Sequence, residues 1–82
     1  MDINTIIKKT NTFLIEEIEV DSSLIIPSAD LREDLSIDSL DFVDIVVLVE
    51  RNFGFKIKAE EMTAVKTLED FYHYIDKKLK SV

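Results

Sequence analysis

The chain has 82 residues, 46% hydrophobic and 33% charged, which suits one small folded domain near the lower size limit. It has no cysteine, which excludes disulfides and thiolate sites, and its single glycine and single proline argue against a small β-barrel. The formal net charge of −7 opposes nucleic-acid binding and favours partners with basic surfaces. With no signal sequence and no apolar segment long enough to span a bilayer, we expect a cytoplasmic protein without membrane contact.

The first predicted element is an amphipathic helix from about Ile3 to Ile18. Asp2 stands where its carboxylate can cap the first turn, and Thr10 fills a gap in the apolar stripe. The stripe at helical spacing comprises Ile3, Ile6, Ile7, Phe13, Leu14 and Ile18.

A long connection follows, from Glu19 to Ile37, in which the apolar residues keep no helical phase. Connections of this length in small domains are functional or are packed by their own side chains. We therefore expect it to lie across the bundle, with a short helical turn around Ala29–Asp34 as one option.

The second helix competes with a strand, because Ile45–Val49 is rich in β-branched residues. Helix is favoured by Asp38 and Asp41, which have the spacing of a capping box. Gly54 then suits a left-handed C-terminal cap. We predict a helix over Ser39–Asn52 that is buried on most sides.

The C-terminal third predicts a short helix at Ala59–Met62 and a long last helix that Thr67 caps, with Asp70 three residues on. The core face of the last helix comprises Leu68, Phe71, Tyr72, Ile75 and Leu79. The chain is therefore predicted to be all-α, a four-helix bundle with three long helices, one short helix and a long first loop.

Ser39 is the candidate site residue, because it stands at a loop–helix junction where exposed N–H groups and the helix dipole favour a phosphate on its hydroxyl. The alternative is that Ser39 or Asp38 is an ordinary helix cap. A serine hydrolase is excluded because the only histidine, His73, lies within the last helix without an orienting acid. We expect no metal site, since Ile45 stands where a calcium loop needs a bidentate glutamate.

Residues Glu33–Asp41, with the sequence EDLSIDSLD, resemble the attachment motif of acyl carrier proteins. The resemblance continues through the rest of the chain at Val43, Val47, Phe53, Ile57, Glu60, Glu61, Thr67, Leu68, Tyr74 and Ile75. It implies one acyl carrier domain over residues 1–82.

The resemblance implies that a magnesium-dependent phosphopantetheinyl transferase moves 4′-phosphopantetheine from coenzyme A to Ser39. The thiol of the arm then carries acyl groups as thioesters, and the chain itself catalyses nothing. The expected partners are this transferase, an acyl-loading enzyme, and synthases or acyltransferases with basic patches, which a monomer serves best. The residues that match partner-facing positions are Asp38, Leu40, Asp41, Val43, Asp44, Val47 and Glu50. Whether the apolar members face a partner or the core stays open at this point.

The chain departs from the family pattern at Ser36, where glycine is usual, and at Arg51, where an acid is usual. Positive charge is also added nearby by Lys56, Lys58 and Lys66. These changes interrupt the acidic stripe and suggest a carrier for a specialised pathway. Bulky side chains that would shorten an internal acyl cavity are Phe42, Phe71 and Tyr72.

Three functions remain open from the sequence. The first is a carrier of acyl groups in fatty-acid, polyketide or related lipid synthesis. The second is a carrier of amino acids, such as a D-alanyl carrier. The third is an unmodified interaction module, against which the complete Asp38-Ser39-Leu40 triplet argues.

Overall fold

Four α-helices form the part of the chain that the computed structural model describes, residues 1–80. They are α1 (Ile3–Glu16), α2 (Ser39–Phe53), α3 (Ala59–Met62) and α4 (Leu68–Lys80). The predicted all-α architecture, with three long helices, one short helix and a long first connection, is confirmed. Within residues 1–80, no helix is both long enough and apolar enough to cross a bilayer.

Helix α1 packs its apolar stripe against α4 and α2. Asp2 caps it as predicted, since Asp2 Oδ1 accepts a hydrogen bond from the Thr5 N–H at 2.8 Å. The fully buried residues include Thr10, which fills the gap in the stripe as expected. Burial of the apolar face, rather than propensity alone, holds a helix of this length in place.

The predicted end of α1 at Ile18 is wrong by two residues, because the helix closes at Glu16. The N–H of Val20 donates to the Leu14 carbonyl at 2.9 Å, and Glu19 adopts a left-handed conformation with φ of 65°. This is the geometry by which a helix ends when a residue turns left-handed after its last turn.

The connection between α1 and α2 is only partly packed. Leu35 and Ile37 are buried as expected, whereas Leu24 and Ile26 are exposed, so the prediction that the connection's apolar residues pack onto the bundle is wrong for these two. A short 3-10 helix forms at Ser22–Leu24. In the segment considered for a helical turn, residues 29–34, the Asp34 N–H donates to the Asp30 carbonyl at 3.0 Å, which is the spacing of a single helical turn.

Helix α2 forms despite its β-branched residues because both of its ends are capped and one face is buried. The buried face has helical spacing and comprises Ile45, Leu48, Val49 and Phe53. Gly54 ends the helix with φ of 82°, as predicted. The prediction of burial on most sides is wrong, because Leu40, Val43 and Val47 are 78%, 62% and 49% exposed.

The short helix α3 has the predicted bounds and is tied to α4 through Glu61. The Glu61 carboxylate accepts hydrogen bonds from the Tyr74 hydroxyl at 3.0 Å and from Lys78 Nζ at 2.8 Å. Helix α4 starts with the predicted cap, in which the Asp70 N–H donates to Thr67 Oγ1 at 3.2 Å. Four residues make only one helical turn, so the position of α3 depends on such tertiary bonds.

Candidate functional site

Ser39 is the first residue of α2 and is exposed. The cap before it is Asp38, whose Oδ1 accepts hydrogen bonds from the N–H groups of Leu40 and Asp41, both at 3.0 Å. The Asp38 N–H points back to Asp41 Oδ2 at 3.5 Å, which completes the predicted capping box. Asp38 is therefore the cap, and within residues 1–80 the Ser39 hydroxyl makes no hydrogen bond.

Three residues before Ser39, Ser36 adopts a left-handed backbone conformation with φ of 56°. Ser36 is exposed between the buried side chains of Leu35 and Ile37. A left-handed conformation favours glycine, because a Cβ crowds the following carbonyl oxygen there. This gives a physical reason for the usual glycine at the position, and it shows that this chain tolerates a strained residue next to its site.

The exposed surface of α2 carries the residues predicted to meet partners. This α2 face consists of Leu40, Asp41, Val43, Asp44, Val47 and Glu50, with Asp41 half-buried and the others exposed. Leu40, Val43 and Val47 follow one another at helical spacing and form an exposed apolar ridge. Among residues 1–80, the ion pairs join α4 residues to one another or to α3, so none neutralises an acid of α2. Arg51 is also exposed, one turn after Val47.

A base for Ser39 is missing from this part of the chain. His73 is exposed on α4, with its Nε2 3.8 Å from Glu69 Oε1. Nucleophilic serine chemistry needs a base in hydrogen-bond contact with the hydroxyl, and no side chain within residues 1–80 makes such a contact with Ser39.

Comparison with known proteins identifies the family of the chain. Residues 12–75 match the family model described as a phosphopantetheine attachment site. Over 79 residues the chain is 33% identical to an acyl carrier protein of Thermosynechococcus vestitus, covering 96% of this chain and 98% of that protein. Acyl carrier proteins of Rubrobacter xylanophilus and Thermotoga maritima are 36% and 38% identical over 92% and 90% of this chain, and over 93% and 91% of their own lengths. The chain belongs to the acyl carrier protein family.

Membership in the acyl carrier protein family identifies 4′-phosphopantetheine as the group that the chain bears, and makes the chain a carrier rather than a catalyst. The residues present fit that group, because Ser39 offers an exposed and unbonded hydroxyl at the positive end of a 15-residue helix. The bulky residues singled out from the sequence lie in or against the core, with Phe71 and Tyr72 buried and Phe42 partly buried.

Sequence reasoning missed the residue that organises the loop before the site, Asp30. The N–H groups of Arg32 and Glu33 both donate to Asp30 Oδ1 at 2.9 Å. These bonds, first Glu33 and then Arg32, lower the pKa of the Asp30 carboxyl. An aspartate that opens a turn is the available sequence signal, because its side chain commonly bonds the N–H groups two and three residues on.

Proposed function

We propose that Ser39 is the residue that carries 4′-phosphopantetheine, and that the chain shuttles acyl groups as thioesters on this arm between enzymes of lipid synthesis. The observation that carries the proposal is the exposed, unbonded Ser39 hydroxyl at the N-terminus of α2. Asp38 takes over the capping role, so modification of Ser39 removes no hydrogen bond from the helix.

In the modification, Ser39 Oγ attacks the phosphorus next to the pantetheine of coenzyme A and forms a phosphodiester bond. The P–O bond between the attacked phosphorus and the bridging oxygen of the coenzyme A diphosphate breaks, adenosine 3′,5′-bisphosphate leaves with the bonding electrons, and a base of the transferase or the solvent takes the hydroxyl proton. The α2 dipole favours the resulting negative charge near its N-terminus.

The α2 face is the proposed docking surface for the transferase, the loading enzyme and the synthases or acyltransferases that use the cargo. Its acids, with Asp38 beside them, steer basic patches of partners, while the ridge of Leu40, Val43 and Val47 supplies apolar contact. Exposed charge pairs contribute roughly 1 kcal/mol or less each, which gives the fast release that a shuttle needs. A monomeric single domain spanning residues 1–82, working in the cytoplasm, suits this role.

We propose a specialised pathway with a short or polar cargo, because the exposed Arg51 interrupts the acids of the α2 face and the core holds bulky aromatic rings. Phe71 and Tyr72 are buried, and because packed cores hold few voids, we infer that these rings take up space that a long acyl chain would need. A chain that enters the core stabilises the folded state by the apolar surface it buries there, so we expect a long acyl thioester to raise the melting temperature little. A marked rise over the holo protein contradicts the short-cargo proposal.

The decisive experiment incubates the protein with coenzyme A and a broad-specificity transferase and measures intact mass. We expect wild type and the matched control Ser28→Ala, another exposed serine, to gain one phosphopantetheine group, and Ser39→Ala to gain none. Mass gain in Ser39→Ala overturns the assigned residue. No gain in wild type overturns the carrier function and favours the unmodified interaction module.

The aminoacyl carrier remains the second candidate, since the same triplet serves both carriers. The holo protein is offered separately to fatty acyl-activating and D-alanine-activating enzymes, and thioester formation is measured by mass. Loading with a fatty acyl group supports the proposed role in lipid synthesis. Loading with D-alanine alone overturns that role and assigns the chain as an aminoacyl carrier.

A further inference from the structure

Asp30 makes five hydrogen bonds within the turn that leads to Ser39. Its carboxylate accepts from the N–H groups of Arg32 and Glu33 at 2.9 Å. Its carbonyl accepts from the N–H groups of Asp34 and Leu35 at 3.0 and 3.1 Å, and its own N–H donates to Asp34 Oδ2 at 2.8 Å. Two of these five bonds use the Asp30 carboxylate and three use its backbone, so the side chain itself holds the N–H groups of Arg32 and Glu33 in the turn.

The same turn is anchored on both sides. The Leu31 N–H donates to the Lys66 carbonyl and the Leu68 N–H to the Ala29 carbonyl, both at 2.9 Å, which ties the turn to the start of α4. At the other end, the Ile37 N–H donates to the Leu31 carbonyl at 3.0 Å. Ile37 directly precedes the cap of α2, so the hydrogen-bonded path from Asp30 ends next to the attachment serine.

The strain at Ser36 makes this support necessary. A serine at φ of 56° is held there only if the surrounding structure specifies that conformation. On one side Asp30 fixes the turn, and on the other the Asp38 cap fixes the first turn of α2. Without the Asp30 side chain, we expect Ser36 to leave the left-handed conformation. The Ser39 hydroxyl would then sample a wider range of orientations.

We infer that Asp30 is a positioning residue for the modification of Ser39, a role that rests on the proposed function. It touches no reacting atom and acts through the turn that sets the hydroxyl's direction. Transfer to a hydroxyl depends steeply on orientation, whereas docking uses the α2 face, which lies beyond the turn. Loss of Asp30 therefore lowers kcat of the transferase with this substrate and leaves KM nearly unchanged.

The test measures kcat and KM of a broad-specificity transferase with Asp30→Ala, and we expect kcat to fall by about tenfold. Asp21→Ala is the matched control, because Asp21 Oδ1 likewise accepts a backbone N–H, that of Ser23 at 2.9 Å, and the charge change is identical. We expect Asp21→Ala to keep the wild-type kcat. Asp30→Asn retains an acceptor oxygen at the same place and should restore most of kcat.

A readout independent of transfer is the amide hydrogen exchange of residues 32–35, which we expect to quicken in Asp30→Ala and not in Asp21→Ala. If Asp30→Ala fails to fold, Asp30→Glu replaces it in the test, because it keeps the charge but moves the acceptor oxygen by one methylene. We expect Asp30→Glu to lower kcat by the same factor.

Two results overturn the inference. One is a kcat for Asp30→Ala and Asp30→Glu within twofold of Asp21→Ala, roughly the scatter of such measurements. The other is a kcat for Asp30→Asn as low as that for Asp30→Ala, because the loss of kcat would then come from the lost charge and not from the lost acceptor oxygen. Absence of modification in wild type is a different failure, that of the proposed function itself.

Discussion

Replacing Thr10 by valine tests whether the core tolerates a polar atom that has no partner. Thr10 lies on α1, is 0% exposed, and its hydroxyl oxygen has no hydrogen-bond partner. A buried hydroxyl without a partner keeps its full desolvation cost, about 1–3 kcal/mol. Valine has nearly the same shape, so the substitution removes this cost without opening a cavity.

The expected gain in unfolding free energy is about 1–2 kcal/mol, since the new methyl group adds apolar burial while packing against neighbours fitted to threonine offsets part of it. For a domain of this size, 1 kcal/mol shifts the melting temperature by roughly 4–8 °C. We therefore expect Thr10→Val to melt about 5–10 °C higher than wild type.

Urea unfolding and thermal melts followed by circular dichroism measure the change. Thr12→Val is the matched control on the same helix, because Thr12 is exposed and its hydroxyl donates to the Lys8 carbonyl at 2.8 Å. We expect its stability to stay within roughly 0.5 kcal/mol of wild type. If Thr10→Val is no more stable than wild type, the hydroxyl has a partner such as a buried water, and the reasoning fails.

Three further predictions concern the loop before the site, the tie of α3 and the response to acid. Ser36→Gly relieves the strain of the left-handed conformation but raises the conformational entropy of the unfolded chain. We therefore expect the free energy of unfolding in urea to rise by about 0.5 kcal/mol. Glu61→Ala removes the acceptor shared by Tyr74 and Lys78, so amide exchange over residues 59–66 should quicken while global stability changes by less than about 1 kcal/mol. The hydrogen bond from the Thr67 N–H is the largest cause that lowers the pKa of the Asp70 carboxyl. The ionised carboxylate therefore stabilises the folded state at pH values above the ordinary carboxyl pKa, and this contribution is lost as pH falls below about 4. Urea unfolding between pH 7 and pH 3 should show this loss, and Asp70→Asn should show less of it.

The first two of these predictions have a control in the same chain. Gly54→Ala is the converse of Ser36→Gly, because Gly54 has φ of 82° and no other group stands near the place where an added Cβ would lie, so strain alone should cost about 1 kcal/mol. Asp76→Ala breaks the ion pair between the half-buried Asp76 and the exposed Lys80, both on α4, and should leave exchange in α3 unchanged. Destabilisation by Ser36→Gly, unchanged α3 exchange in Glu61→Ala, or an Asp70→Asn pH profile identical to wild type contradicts the respective reasoning.

The sequence alone predicted the four α-helices and the family of the chain. Side-chain chemistry at the helix ends is local, so Asp38, Asp41 and Gly54 marked the bounds of α2 although its β-branched interior favours a strand. Periodicity likewise identified the stripe of α1 and the core face of α4. The place of Ser39 at the start of a helix and the family resemblance predicted it as the site residue, and this stays a prediction.

Only the tertiary structure decided which side of α2 faces outward, because a helix with apolar residues around most of its circumference has no unique core face in sequence. Packing against the other elements buries Ile45 and Val49 and leaves Leu40, Val43 and Val47 as the exposed ridge. The anchoring of the Asp30 turn was equally beyond pattern reading, because it depends on backbone bonds to the start of α4, more than thirty residues away in the chain, whereas the aspartate that opens the turn is a local signal. Local signals set where helices begin and end, whereas contacts between distant segments set what each helix presents to a partner.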